Sequence, residues 1–240
     1  MVAAIVVSAA MICMLCVIAY RLATYALPFA LGLAATRVDS KVPLAAAVGA
    51  SFALDLAWPV LLLTGIESVR VHPHDTAFTS LAFDSYPWTH SLAMVVVWSL
   101  AAGSLTARRL GGRAGALIGA LVMSHWWLDL VTHRPDLPLW PGGPLMGLGL
   151  WHSIPGTIVV EGGLFLAGVV AYVRGWPAKD STGRWAFAAL VALIGLLWIT
   201  QPWSPPPPNE TAVAWGALSM WLLLPWCAWI ARHRVRTSMA

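Results

Sequence analysis

Long apolar stretches recur along the chain and are separated by short polar segments. They fall at approximately 2–20, 43–66, 89–107, 114–132, 154–173, 185–201 and 212–231. A helix needs about 20 mostly apolar residues to cross the hydrocarbon core of a bilayer, so the pattern predicts an all-α, polytopic membrane bundle of about seven transmembrane helices. Because the connections are short, we expect the 240 residues to form one integral membrane domain, 1–240.

The segment 22–36 does not fit this scheme simply. It is short, it contains Pro28, and it directly follows Arg21. The pattern leaves open whether it is a re-entrant or interfacial helix, or the end of a long, tilted first helix.

The composition agrees with a membrane protein. Hydrophobic residues make up 59% of the chain and charged residues 10%, with a mean hydropathy of +0.76, whereas soluble domains carry roughly 25% charged residues. The net charge of +4 does not indicate nucleic-acid binding, because the basic residues lie between the apolar stretches, where they determine topology. The cysteines lie in apolar stretches and are expected to be structural.

The basic residues predict the orientation in the membrane. Of the 14 Lys and Arg residues, only Arg70 and Arg134 fall in the loops opposite the other twelve. Since basic residues concentrate in cytoplasmic loops, we expect the N-terminus outside, the C-terminus inside, and a multi-pass protein of a bacterial inner membrane, surrounded by membrane lipids. Tryptophans at helix ends, such as Trp88 and Trp151, fit an interfacial aromatic belt.

Ionisable residues gather toward the predicted outer side. Six of the seven histidines lie in outer loops or in the outer halves of helices, and three carboxylates, Asp55, Asp129 and Glu161, lie within predicted spans. Ionisable groups inside a membrane are costly and usually face a polar cavity or a partner. Their clustering favours a functional site over isolated polar positions.

The segment SHWWLDLVTHRPD carries the clearest pattern. His125, Asp129 and His133 recur at i, i+4 and i+8 and therefore share one face of a helix. Imidazole and carboxylate groups on successive turns can bind one divalent cation, or the carboxylate can orient a liganding histidine. The alternative is a buried, hydrogen-bonded polar pair.

Two further segments bring groups to similar positions. In YPWTHSL, His90 is predicted to begin the outermost turn of the third helix. Asp55 lies about 16 Å and Glu161 about 12 Å below the outer ends of their helices at 1.5 Å per residue, so both can approach His125. Asp55 could thus complete a metal set with His90, His125 and Asp129, with Glu161 or Asp129 as the catalytic base. The alternative for His90 is an interfacial position, where imidazole is common. Either Asp55 or Glu161 could instead be protonated and hydrogen-bonded within the bundle.

Other polar residues are expected near the entrance to this site. His133, Asp136 and His152 are candidates for orienting the ligands or contacting a substrate. For Asp136 the alternative is a structural turn, since Pro135 and Pro138 flank it, and for His152 it is an interfacial position.

These segments resemble a bacterial family described as membrane-bound metal-dependent hydrolases. The resemblance covers about 55–172 and rests on an intramembrane Asp followed by GIE at 65–67, then YPWTHSL, SHWWLDLVTHRPDLPL and GLGLWHS. It implies metal-assisted hydrolysis with Asp55, His90, His125 and Asp129 at the metal centre, and it adds Glu67 as a group that orients ligands or contacts substrate. An Asp-x-Asp-His set near the first acid and an Arg before THS, both frequent in that family, are absent here.

Together these observations predict a membrane-embedded hydrolase that acts on a lipid-like ester, amide or phosphoester from an outward-facing cavity. Zinc is the favoured metal for His and Asp ligands, with manganese and magnesium as alternatives. Two other functions remain open: a proton- or cation-coupled transporter, and a non-catalytic membrane scaffold with a structural polar or metal cluster. The sequence does not determine the oligomeric state.

Overall fold

A computed structural model describes residues 26–237 of the protein, and it is predominantly helical as predicted. Its α-helices are α1 (Ala26–Ala35), α2 (Leu44–Ser51), α3 (Ala53–Leu63), α4 (Pro87–His90), α5 (Leu92–Leu110), α6 (Gly112–Thr132), α7 (Ile154–Gly175), α8 (Ser181–Thr200), α9 (Glu210–Leu218) and α10 (Leu223–Arg232). Short 3-10 helices are Leu150–His152, Gln201–Trp203 and Ser219–Leu222. Two antiparallel pairs of strands, which the hydropathy pattern did not predict, are β1 (Ser68–Val71) with β2 (Leu81–Ser85), and β3 (Leu137–Pro138) with β4 (Leu145–Met146).

Four helical segments of the described residues are long and apolar enough to cross a membrane. They are Gly112–Thr132, Ile154–Gly175, Ser181–Trp203 and Glu210–Arg232, which correspond to the last four predicted spans. A fifth is obtained if α2 and α3, which correspond to the predicted span 43–66, count as one broken span. Helix α5, at the predicted span 89–107, is not in this set, and its last turn carries Arg108 and Arg109. The predicted first span lies outside the described residues.

Helices α2 and α3 meet at a bend of 58°. Phe52 lies at the break with φ −103° and ψ 8°, and its backbone N–H closes the last turn of α2 by donating to the carbonyl oxygens of Val48 and Ala50. The carbonyl oxygen of Ser51 lies at the very end of α2, where a helix leaves such groups free for other partners. The bend places Asp55 in the first turn of α3, at the centre of the bundle.

Glycines allow several helices to pack unusually closely. A Cβ atom added at Gly103 of α5 would lie 2.9 Å from the carbonyl oxygen of Gly115 in α6, and one added at Gly119 would lie 3.0 Å from the carbonyl oxygen of Ser99. Small residues let helix backbones approach in this way inside membranes. In the same way, Gly168 of α7 packs against Ala30 of α1. Helix α1 forms most of the segment 22–36, whose structure the hydropathy pattern left open. It is a short, apolar helix that is almost wholly buried.

The connecting segments gather at two ends of the bundle. At one end the backbone of Ala178 pairs with Arg234, and the guanidinium group of Arg113 donates to the carbonyl oxygen of Val38, 2.9 Å away. At the other end Phe78 donates its backbone N–H to Trp151, at 3.0 Å. Pairs of segments predicted to share the basic side therefore contact each other, and the β1–β2 hairpin lies beside the loop predicted to be the second outer one.

Candidate metal centre

The broken span contributes Asp55 and a backbone carbonyl group to a buried cluster. Asp55 is only 6% exposed. The carbonyl oxygen of Ser51, at the end of α2, lies 2.8 Å from Nδ1 of His125 on α6. Because a carbonyl oxygen can only accept, Nδ1 of His125 carries a proton, and in the neutral imidazole Nε2 then presents its lone pair. The bend between α2 and α3 thus both places one carboxylate and orients one imidazole.

His90 reaches the cluster from a helix separate from α5. Sequence reasoning placed it in the first turn of the third span, but that prediction is wrong: His90 ends the four-residue helix α4, and Ser91 then adopts extended geometry, with φ −70° and ψ 142°, before α5 begins. The Ser91 side chain caps α5 by accepting from the backbone N–H of Met94. This break lets His90 lie inside the bundle, where it is 4% exposed.

The four predicted ligands lie close together, and three of them form one group. Nε2 of His125 lies 3.4 Å from Oδ2 of Asp55 and 3.4 Å from Oδ2 of Asp129. Nε2 of His90 lies 3.5 Å from Oδ1 of Asp55 and 3.9 Å from Oδ2 of Asp129. Asp55, His90 and His125 each offer a ligand atom within 4.8 Å of the others, and together they form a buried group that could hold a metal ion.

The donor atoms fit a divalent cation better than they fit one another. At these separations no hydrogen bond of normal length joins an imidazole to a carboxylate, and Oδ2 of both Asp55 and Asp129 is buried with no hydrogen-bond partner among the described residues. Nitrogen and oxygen ligands of one tetrahedral zinc ion, at normal bond lengths, lie about 3.4 Å apart. Buried polar atoms are nearly always satisfied, so this set is incomplete without a group between its members.

Behind His90 lies a second layer of hydrogen bonds. Nδ1 of His90 lies 2.7 Å from Oγ1 of Thr89, and that hydroxyl group donates to Oε2 of Glu67 at 2.7 Å. Oε1 of Glu67 accepts from the backbone N–H groups of Trp88 and Thr89, both at 2.8 Å. Glu67 is 3% exposed. It therefore lies behind the cluster and contacts a ligand through one intervening side chain.

Glu161 faces the same cavity from α7 and is held by two tryptophans. Its Oε1 accepts from the indole N–H of Trp151 at 2.8 Å, and its Oε2 accepts from that of Trp198 at 2.7 Å. Trp151, expected at the membrane interface, is instead buried, and Trp198 was not singled out from the sequence. Both oxygens of Glu161 already accept one hydrogen bond, whereas Oδ2 of Asp129 is buried and has no hydrogen-bond partner among the described residues.

Beyond the ligands, His133 joins a polar network at the end of α6. Its Nδ1 lies 3.0 Å from Oδ1 of Asp136, to which the hydroxyl group of Tyr86 also donates at 3.0 Å. Burial lowers the pKa of His133, but the hydrogen bond with Asp136 and the nearby carboxylates outweigh this effect and raise it. Arg134 bridges Asp136 and Asp75, with Nε 3.3 and 2.9 Å from their carboxylates. His133 lines the cavity, whereas His152 is exposed and does not.

The cavity enclosed by these groups is small, about 40 Å³. One water occupies at least about 10–15 Å³ on this measure, so the space accommodates an ion and one or two waters. Apolar side chains complete its wall: Leu27, Pro28, Trp58, Leu81, Phe83, Leu128 and Trp151. An acyl chain does not fit inside the cavity in this conformation.

Comparison of the chain with protein-family models, with curated proteins and with solved structures found no match. The geometry of the cluster is therefore the basis for a functional assignment.

Sequence reasoning found the cluster but missed the groups that position it. The partners Ser51, Thr89, Trp151 and Trp198 act through a backbone carbonyl group, a hydroxyl group or an indole N–H, and none of these residue types stands out in an apolar stretch. The one available signal was the position of Thr89 next to His90 in YPWTHSL.

Proposed function

We propose that the protein is a membrane-embedded, metal-dependent hydrolase whose centre is held by Asp55, His90 and His125. The observation that carries this proposal is the convergence of two imidazole Nε2 atoms and two carboxylate oxygens at 3.4–3.9 Å, with Oδ2 of both Asp55 and Asp129 lacking a hydrogen-bond partner among the described residues. A structural polar network would instead satisfy these atoms with each other. Catalytic zinc sites typically have three protein ligands and one open position, which this group provides.

The residues divide into ligands and a base. Asp129 is 13% exposed at its side chain and lies at the edge of the ligand group. In this arrangement its free oxygen takes the proton of the attacking water, while Glu161, bonded to two indoles, forms the opposite wall. When bound, a divalent cation lowers the pKa of water and polarises the bond to be cleaved. Zinc is the proposed metal because of the mixed imidazole and carboxylate ligands.

The proposed substrate is a lipid-like ester, amide or phosphoester. The support is the position of the site inside an apolar bundle and the apolar wall of its cavity. Since the cavity holds only an ion and one or two waters, the reacting group enters it while the apolar chain of the substrate remains outside. The resemblance to membrane-bound metal-dependent hydrolases favours the same reaction class.

The proposal is tested by metal analysis of protein purified in detergent without chelators. We expect about one zinc per chain in the wild type. We expect its loss in the His125→Ala and Asp55→Ala variants, because each removes a buried ligand. The matched control is His152→Ala, which removes an exposed histidine outside the cavity and should retain the metal.

Zinc-loaded protein is then assayed with p-nitrophenyl esters and bis(p-nitrophenyl) phosphate. Hydrolysis by the zinc-loaded wild type that is absent from His125→Ala treated with zinc in the same way supports the proposed hydrolase. Full metal content in His125→Ala would refute the ligand assignment. Absence of metal from the wild type after incubation with zinc, manganese or magnesium would refute the proposal and favour a carrier or a structural network.

A further inference from the structure

The chain from Glu67 through Thr89 to His90 has a direction, and that direction determines which nitrogen of His90 is free. A carboxylate has no proton to donate, so Glu67 only accepts. Its Oε1 is engaged by two backbone N–H groups, and its Oε2 lies 2.7 Å from Oγ1 of Thr89. The same hydroxyl group lies 3.5 Å from the carbonyl oxygen of Tyr86, but the carboxylate is much nearer and charged. The single hydroxyl proton of Thr89 is therefore directed toward Glu67.

It follows that Thr89 accepts from His90. With its proton used by Glu67, the hydroxyl oxygen offers only lone pairs to Nδ1 of His90, 2.7 Å away. Nδ1 then carries the proton, and in the neutral imidazole Nε2, the atom 3.5 Å from Asp55, presents a lone pair. A histidine binds a metal only through an unprotonated nitrogen.

We infer that Glu67 is a positioning residue that acts through Thr89 to fix the tautomer of His90, so that Nε2 is available to bind a metal ion. That Nε2 binds a metal ion rests on the proposed function, whereas the tautomer of His90 follows from the hydrogen bonds alone. His125 reaches the same tautomer by a different route, since the carbonyl oxygen of Ser51 accepts from its Nδ1. Both imidazoles are thus oriented from behind, as is usual for liganding histidines.

The substitution Glu67→Gln distinguishes this role from a merely structural one. Glutamine keeps the shape of the side chain, and its carbonyl oxygen can still accept from the backbone N–H groups of Trp88 and Thr89. Its amide group, however, then faces Oγ1 of Thr89 as a donor. We expect the Thr89 hydroxyl group to turn toward Nδ1 of His90, which is 2.7 Å away, and not toward the carbonyl oxygen of Tyr86, which is 3.5 Å away. This turn moves the imidazole proton to Nε2.

The experiment is nitrogen NMR of metal-free, 15N-histidine-labelled protein, with the His90 signal assigned from a His90→Gln variant. We expect the Nδ1–H tautomer in the wild type and the Nε2–H tautomer in Glu67→Gln. Persistence of the Nδ1–H form in Glu67→Gln would overturn the inference. Because the protein contains no metal in this measurement, the result does not depend on the proposed hydrolase.

Zinc affinity provides the second readout. Loss of a partner behind a ligand typically costs 10–100-fold in affinity, and we expect this loss in Glu67→Gln and Thr89→Val. Thr89→Ser keeps the hydroxyl group and should stay within about threefold of the wild type on the same scale. The control is Thr36→Val, since Thr36 is buried and, within residues 26–237, its hydroxyl group bonds to Leu33 alone, three residues earlier. Equal affinities for Thr89→Val and Thr89→Ser would contradict the inference, whereas failure of every protein to bind zinc would refute the proposed function alone.

Discussion

The carboxylate of Asp129 lies beside the ligand group but not within it. Its Oδ2 is 3.4 Å from Nε2 of His125 and 3.9 Å from Nε2 of His90, and Asp129 falls outside the group whose ligand atoms all lie within 4.8 Å of one another. The same oxygen has no hydrogen-bond partner among the described residues. It is therefore better placed to accept a proton from a water near the metal than to bind the metal itself.

We predict that Asp129→Asn separates binding from catalysis. The amide keeps the size of the side chain but cannot act as a base, so zinc affinity should stay within a few-fold of the wild type, while hydrolysis of p-nitrophenyl substrates should fall about 10²–10⁴-fold, the usual contribution of a general base. Zinc affinity is measured by competition with a chromogenic chelator. Asp55→Asn is the comparison, since loss of a ligand should reduce both quantities. Loss of zinc from Asp129→Asn would show that Asp129 is a fourth ligand.

Residue spacing predicted part of this site for a simple physical reason. His125 and Asp129 are one helical turn apart, and helical periodicity alone places them on one face. Their convergence with Asp55 was predicted from depth in the membrane. The hydrogen bonds of Glu161 with two tryptophans depend on how three separate segments pack, and that information is not contained in the local pattern around any one of these residues.

At the scale of elements, breaks in the helices create the site. The bend at Phe52 exposes the carbonyl oxygen that orients His125, and the extended geometry at Ser91 separates His90 from α5. No proline or glycine stands at either break, and Pro59 lies inside the regular helix α3. Local rules place breaks at such residues, so hydropathy predicted two straight spans. The two breaks therefore could not be predicted from the residues that stand at them.

The close crossing of α5 and α6 positions the two histidines relative to each other. Ring centroids of His90 and His125 are 5.4 Å apart. His90 directly precedes α5, and His125 lies on α6 ten residues beyond Gly115. A Cβ atom at Gly115 would lie 2.5 Å from the carbonyl oxygen of Gly103 and 2.6 Å from Cβ of Ala107. The helices therefore cannot accommodate even one methyl group without moving apart.

We predict that Gly115→Ala destabilises the protein by about 1–3 kcal/mol, the usual cost of overpacking, and weakens zinc binding because α5 and α6 separate. The control is Gly163→Ala in α7, where an added Cβ has no neighbour within 4 Å. There, alanine should leave the free energy of unfolding unchanged or increase it by up to about 1 kcal/mol, since glycine is a poor helix former. Unfolding of both variants is followed in the same detergent. Equal stabilities would contradict the proposed tight crossing.

At the scale of the whole molecule, the two ends of the bundle differ in chemistry. The end that contains Ala178 and Arg234 carries most of the basic residues, whereas the β1–β2 hairpin and the polar network around Asp136 lie at the other. Hydropathy and charge predicted which loops lie together, because each span reverses the direction of the chain. They did not predict the two small sheets in the loops that are expected outside, since such short strands have no strong apolar periodicity.

The predicted orientation places the end of the bundle that carries the β1–β2 hairpin outside the cytoplasm. Because Leu81 and Phe83 of β2 line the cavity, the candidate metal centre would then be reached from that side. This orientation is tested by cysteine labelling in intact cells, in a background where Cys13, Cys16 and Cys227 are replaced by alanine. A membrane-impermeant maleimide should label Pro206→Cys, in the loop between α8 and α9, without permeabilisation. It should label Arg109→Cys and Ser181→Cys, at the basic end, only after the membrane is opened.

All three positions are exposed, so a difference in labelling reports the side of the membrane and not burial. The expectation follows from the concentration of Lys and Arg in cytoplasmic loops. The reverse pattern would place the ligand cluster near the cytoplasmic surface. The substrate would then have to approach from the inner leaflet, although the ligands, the base and the Glu67 hydrogen bonds would be unchanged. The labelling result therefore determines from which side lipid-like substrates should be presented in reconstituted vesicles.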